Sequence, residues 1–223
     1  MRMCDRYSLT AELSELTEAF RIDRVHVPYT RRYNIAPTQQ VPVIEQVDGE
    51  RCLNHHRWGL IPYWGKSSVH VKREMLADKP YLRYMLAKKR CVVPCSGFYF
   101  WRTDGKVRRA WRIVHRAEPA FAMAGIYEIW IDSEKREYPM CTVITTDSPF
   151  GPDYSVPLIL HDAAIDAWLD PEERRPEAVR DLLFSLPEAE FRAYPVTPRV
   201  MDATLEAPEC IAELDPSLPP MKV

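Results

Sequence analysis

Arg90-Cys91-Val92-Val93-Pro94-Cys95-Ser96-Gly97-Phe98-Tyr99-Phe100-Trp101-Arg102 decides the fold of this chain. Cys91–Pro94 is a short apolar strand, the Ser-Gly pair breaks it, and Phe98–Arg102 is a second, aromatic strand. Asp104-Gly105 then turns the chain into a third strand over Val107–Val114. Working outward, Gln40–Val47 reads as a strand, Asp48-Gly49 as its hairpin turn and Arg51–Trp58 as the return strand. Downstream, Ala120–Ile131, Met140–Thr146 (entered through Pro139) and Glu188–Val196 read the same way. Helices are fewer. Thr10 is placed to cap one to about Phe20, with Leu9, Leu13, Leu16 and Phe20 on one face. Pro80 opens another to about Lys89, its Lys88-Lys89-Arg90 end suiting the helix dipole. Asp162–Leu169 and Pro176–Leu183 are two more. Arg31–Thr38 reads as a polar loop, Gly59–Trp64 as an aromatic one, and the chain from Pro208 as irregular. Consecutive strands with hairpin turns and peripheral helices predict an α+β fold: a single domain with a mainly antiparallel, barrel-like β core.

The 223 residues are 46% apolar, enough for one large domain with a real core. No run of eighteen apolar residues exists, so no membrane span is expected, and the start lacks an apolar signal region, which points to the cytoplasm. Six irregularly spaced cysteines (Cys4, Cys52, Cys91, Cys95, Cys141 and Cys210) predict reduced thiols rather than a disulfide framework. The net charge of −2 hides a strong asymmetry. Residues 66–116 hold fourteen Lys or Arg against three acids, a balance of +11, and residues 117–223 carry −13. The basic block points to a polyanion, and aromatics interleave with it. Trp58, Tyr63, Trp64, Phe98, Tyr99, Phe100 and Trp101 recur beside Arg57, Lys66, Lys72, Arg73 and Arg102, a pattern suited to stacking unpaired bases while cations hold phosphates.

There is no P-loop, no dinucleotide-binding glycine pattern and no nucleophile elbow, and the sequence calls for no cofactor. Cys52, His55, His56, Cys91 and Cys95 could be drawn as a zinc site. The Cys91–Cys95 spacing straddles an apolar strand and Pro94, which suits buried thiols, so no metal is expected. His161-Asp162 resembles a catalytic pair but begins a helix, where a capping role fits. The nucleophile that stands out is Cys4, in Met3-Cys4-Asp5-Arg6-Tyr7. A terminal cysteine carries an α-amine (pKa about 8) two carbons from its thiol, so it can form a Schiff base with an aldehyde and close to a thiazolidine. That chemistry needs translation to begin at Met3, or removal of the residues ahead of Cys4.

Several stretches together resemble the SRAP (SOS-response-associated peptidase) family, proteins that shield abasic sites in single-stranded DNA. They are Met3-Cys4-x-Arg6-Tyr7, Arg32-Tyr33-Asn34-Ile35-Ala36-Pro37-Thr38, Trp58-Gly59-Leu60-Ile61-Pro62-x-Trp64, Ala77-x-Lys79-Pro80-x-x-Arg83, Arg90-Cys91-x-Val93-Pro94-x-x-Gly97-Phe98-Tyr99-x-Trp101, Ala124-Gly125-Ile126-Tyr127-Glu128, Ile144-Thr145-Thr146-Asp147 and Tyr194-Pro195-Val196-Thr197. They run in the family's order along nearly the whole chain. The resemblance implies an SRAP domain over residues 3–205, followed by an irregular proline-rich tail over 206–223. It also implies a monomer in the cytoplasm, associated with the nucleoid, that takes part in the SOS response. Its DNA groove would use Arg6, Asn34, Trp64, Lys72, Arg73 and Trp101.

In that family the terminal cysteine captures the ring-opened abasic aldehyde covalently. An Asn, a Glu and a His assist, and the same group is held to release the residues ahead of the cysteine by autoproteolysis. Cys4 matches. The three helper positions are substituted by His70, Phe100 and Asp153, and Asp5 replaces a glycine. Two readings follow: a rearranged thiol enzyme, with Asp153 orienting His70 and His70 activating Cys4, or a paralogue that binds DNA without the chemistry.

Overall fold

Asp48 and Gly49 both adopt positive φ, 50° and 84°, as a two-residue hairpin turn of right-handed twist requires. They join strands Gln40–Val47 and Glu50–Trp58, paired without interruption from Val47↔Glu50 to Gln40↔Arg57. The structure is a computed structural model describing residues 2–3, 5–60, 68–104, 107–148, 151–175, 178–179, 182 and 188–214. Of residues 2–3, 103–104, 107–108, 148, 151–154 and 188 it describes the backbone alone. In chain order the first elements are β1 (Arg2–Met3), β2 (Tyr7–Leu9), α1 (Leu13–Phe20), β3 (Arg24–Val25), β4 (Arg32–Ile35), β5 (Gln40–Val47), β6 (Glu50–Trp58) and β7 (His70–Lys72). Then come α2 (Met75–Asp78), α3 (Pro80–Lys88), β8 (Arg90–Cys95), β9 (Gly97–Asp104) and β10 (Val107–His115). The rest are β11 (Phe121–Ile131), β12 (Glu137–Ser148), β13 (Gly151–Pro157), β14 (Ile159–Leu160), α4 (Asp162–Leu169) and β15 (Phe191–Val196).

The larger sheet closes on itself. Going round, β12 pairs β11, β11 pairs β8, β8 pairs β5 and β5 pairs β6, all antiparallel. The ring is completed by a parallel pairing of β6 with β12, Arg57↔Met140 and Trp58↔Cys141. This gives the expected barrel within an α+β domain. β12 is long, twelve residues or about 40 Å. Its first half lies between β11 and β6, and its second half runs on between β13 and β7. The barrel interior is identified by contacts between strands that are not neighbours. His56 on β6 lies edge-on to Tyr127 on β11, ring centroids 5.3 Å apart, and Glu45 on β5 hydrogen-bonds both. The same face carries Cys91 and Cys141, both fully buried. Burial pushes the Glu45 carboxyl up, but hydrogen bonds to His56, Asn54 and Tyr127 outweigh it and hold the pKa below the usual value.

The second sheet, ordered β15-β10-β9-β2-β4, is antiparallel throughout. Alternation splits β9: Phe98 and Phe100 face the main core, while Tyr99 and Trp101 face a smaller core with Tyr194, Val200 and Cys210. Beneath that face Arg112 is buried, donating to Ser8 Oγ (3.0 Å), Ser96 O (3.2 Å) and the Tyr194 hydroxyl. Arg90, also buried, donates to Leu86 O and Ala87 O (2.8 and 2.9 Å), Trp168 O (2.5 Å) and Asp170 O, so it ties the C-terminal ends of α3 and α4. Two cations of the basic block are therefore structural. No helix of the described residues is long and apolar enough to cross a membrane.

Several expectations are corrected. Arg31–Thr38 is not simply a loop: β4 pairs β2 at Tyr7↔Ile35, and its polarity reflects an edge strand. The first helix starts later than Thr10. Thr10 N and Ala11 N both donate to Ser96 Oγ, and Glu12 N donates to Glu15 Oε2 (2.6 Å) at the helix start. β7 and β13 were not legible. Residues 206–214 have little regular structure and pack on the domain: Cys210 is buried, Glu206 pairs with Arg32, and Leu214 N donates to Pro195 O. The helix expected over Pro176–Leu183 falls largely outside the described residues.

Gly97 lies where a Cβ would come within 2.8 Å of Arg112 Nε and Val114 Cγ1. Arg112 cannot yield, since it is fixed by its hydrogen bonds. Gly97→Ala is expected to cost about 1–3 kcal/mol in urea or thermal unfolding, as overpacking does.

Candidate nucleic-acid interface

The barrel's inner face continues out of its mouth along the second half of β12. Side chains at paired positions share a face. His70 pairs with Val143, Lys72 with Thr145, Thr145 with Pro157, and Asp147 with Ser155. His70, Lys72, Thr145, Asp147 and Ser155 therefore line one surface. Lys72 Nζ reaches Asp147 Oδ1 at 3.1 Å. The Thr145 and Ser155 hydroxyls are enclosed, with no hydrogen-bond partner among the described residues. The second sheet closes the mouth with Tyr7, whose ring lies edge-on to Trp58 at 5.3 Å.

The chain crosses between the two sheets at its start. Met3 pairs with Ser155 on β13, and Arg6 O accepts from Tyr99 N (3.0 Å) on β9. Cys4 lies outside the described residues. Phe100 is 2% exposed and faces the main core, paired with Trp111 on β10. It offers no proton to give or take.

His70 is not brought to Asp153. It is half-buried, its ring edge-on to Trp58 at 5.5 Å. The register puts His70 opposite Val143 and Ser155 opposite Asp147. The two positions are on strands separated by β12 and at least four residues out of step, about 13 Å along the strands. The Asp153 side chain lies outside the described residues.

Three of the residues expected at the DNA groove have these surroundings. Asn34 is fully buried and donates to Asp202 O (2.8 Å) and Leu205 O (3.0 Å), tying β4 to the C-terminal strap. Trp101 is 6% exposed in the smaller core, so its indole packs instead of offering a stacking face. Arg6 directs Nη2 at Met201 O (3.0 Å) and Nε at Val200 O (3.4 Å). Lys72 and Arg73 are half-exposed, and Trp64 lies outside the described residues. The drawn zinc ligands are dispersed: His56 faces the barrel interior, and its neighbour His55 faces the opposite side of β6. Burial raises the thiol pKa of Cys52, Cys91, Cys95, Cys141 and Cys210 above the usual value, which keeps them protonated and inert. Thr145, Asp147 and Ser155 were missed as candidates. Their only signal was the Ile144–Asp147 motif, which does not reveal which side chains face the mouth.

A closed barrel joined to a second sheet, with a polar face at the mouth and the chain start crossing it, defines a narrow class of proteins. The model of SOS response associated peptidases (SRAP) matches residues 3–203, and the chain belongs to that family. The abasic site processing protein YoqW of Bacillus subtilis (strain 168) is 34% identical over 221 residues, covering 94% of this chain and 99% of that protein. The abasic site processing protein HMCES of Gallus gallus is 27% identical over 232 residues, covering 86% of this chain and 68% of that protein. The crystal structure of a Bacteroides thetaiotaomicron protein superposes with a TM-score of 0.78 at 25% identity, covering 95% of this chain and 100% of that one. A Bordetella bronchiseptica protein, at TM-score 0.75 and 18% identity, covering 87% of this chain and 100% of that one, shares the fold.

Asn34→Ala leaves two strap carbonyls without their donor and is expected to cost about 2 kcal/mol. Limited proteolysis should then cut faster near residues 199–206. Unchanged stability would return Asn34 to the ligand surface.

Proposed function

We propose that this chain recognises abasic sites in single-stranded DNA at the barrel mouth. In this reading Cys4 captures the abasic aldehyde whenever it is N-terminal, without the proton relay of the family. The observation that carries this is Phe100, a buried phenyl ring at the position of the assisting acid. Capture itself belongs to the 1,2-aminothiol. The amine and aldehyde form an imine and release one water, and the thiolate then adds to the imine carbon while the nitrogen takes up the thiol's proton. A missing acid/base slows this by roughly 10²- to 10⁴-fold without abolishing it. Autoproteolytic release of the residues ahead of Cys4 needs proton transfer to a leaving amine, which a phenyl ring at position 100 cannot make. Exposure of Cys4 is therefore assigned to another agent, such as an aminopeptidase.

A denaturing gel with single-stranded DNA bearing one abasic site tests the reading. A chain beginning at Cys4 is expected to give a slow, heat-stable adduct, and a Cys4→Ala chain none. Phe100→Glu, checked for folding by thermal melting, should speed the adduct by about 10²-fold, and Phe100→Leu should not. Equal rates for all three residues at position 100 would refute the relay argument. No adduct from any chain, with binding retained, would leave the paralogue that binds DNA without the chemistry.

Lys72→Glu and Arg73→Glu are each expected to weaken binding by about tenfold at low salt. Each should also make the slope of log affinity against log salt shallower, by roughly 0.7 for every phosphate no longer neutralised. Affinity indifferent to salt would place the DNA elsewhere.

A further inference from the structure

β10 and β15 meet β11, β14 and the start of α4 around a cleft of about 340 Å³. That volume is in the range of small-molecule sites. Its floor is apolar: Phe121, Phe191, Ile159 and Leu160 are all at least nine-tenths buried. Phe121 and Phe191 meet edge to face at 5.1 Å, so the floor is rigid. The rim carries Glu118, Asp162 and Glu190 with His115 and His161. All three carboxylates belong to the acidic part of the chain, which the DNA reading leaves without a role.

The rim is organised. His115 Nδ1 accepts from Glu118 N (2.9 Å) and Ala117 N (3.3 Å), and the ring stands edge-on to Phe191 at 5.1 Å. With Nδ1 accepting, the imidazole N–H is on Nε2, directed at Glu190 Oε2 3.6 Å away. Glu118 and Asp162 have no basic partner among the described residues. Arg116, the neighbouring cation, directs Nε at Ala189 O (3.1 Å). The start of α4 would by itself favour an anion, but Asp162 occupies its first turn. The sum is an apolar pocket under a negative rim.

We propose that this cleft is a binding site for a small organic cation, an ammonium group on an apolar stem. The stem lies on Phe121, Phe191 and Leu160, and the ammonium group donates to Glu190 and Glu118. The site is distinct from the barrel mouth, so its failure would not touch the DNA reading.

The test titrates the full chain with benzylamine, benzyl alcohol and benzoate, following the imidazole proton resonances of His115 and His161 by NMR. Benzylamine should give saturable shifts with a dissociation constant on the order of millimolar, as so small a molecule allows. Benzyl alcohol should bind about tenfold more weakly, having no charge to pair. The double variant Glu118→Gln, Glu190→Gln should weaken benzylamine by about tenfold while leaving DNA affinity unchanged. Benzoate or benzyl alcohol binding as tightly as benzylamine, or no saturable shift with any probe, overturns the proposal. So does a folded double variant with unaltered affinity. Should that variant not fold, the three-probe comparison on the parent chain decides.

Discussion

The parallel pairing of β6 with β12 is the constraint on which the molecule depends. Four antiparallel pairings alone would leave a curved open sheet with two edges. The register Arg57↔Met140 and Trp58↔Cys141 closes it. Closure turns one face of five strands into an interior, so that Glu45, His56 and Tyr127 from three strands must satisfy one another there. It also leaves the second half of β12 projecting from the barrel, where β7 and β13 take up its two edges. The candidate site is that projection, and its inward-facing residues inherit their direction from the barrel.

The second sheet contributes by plugging. Tyr7 reaches Trp58 across the mouth, and Phe98 and Phe100 supply the main core from beneath. An acid at position 100 in such surroundings needs partners to remain ionised. A phenyl ring needs none, and it packs without an unsatisfied group. Phe100 therefore exchanges chemistry for packing while leaving the surrounding aromatic strand intact. The inertness of the five described thiols has the same origin, since burial disfavours the thiolate.

The charge asymmetry of the sequence resolves into three uses. Arg90 and Arg112 are consumed inside, on helix ends and on neutral acceptors. Lys72 and Arg73 remain at the mouth, on the side where the chain start crosses between sheets. Part of the acidic surplus gathers around the cleft floored by Phe121 and Phe191. Local surpluses of either sign are masked in a net charge of −2.

The amino-acid sequence alone determined the α+β class, the Asp48-Gly49 hairpin, the bounds of α3 and α4 within a residue, and the family, because turn chemistry, helix starts and motif order are local properties of the chain. Its resemblance to the family also implied three altered helper positions. Only the tertiary structure decided what those alterations mean. The register of β7 and β13 sets His70 and Asp153 on strands that flank β12 on opposite edges. Asn34 and Trp101 read as ligand contacts because polar and aromatic residues serve cores and surfaces alike; the strap at 200–210 covers both. β7 and β13 escaped notice because their strand character comes from the edges of a neighbour 70 residues away in the first case, and from a bulged register in the second. Long-range pairing is a property of the closed barrel, and no window of local sequence contains it.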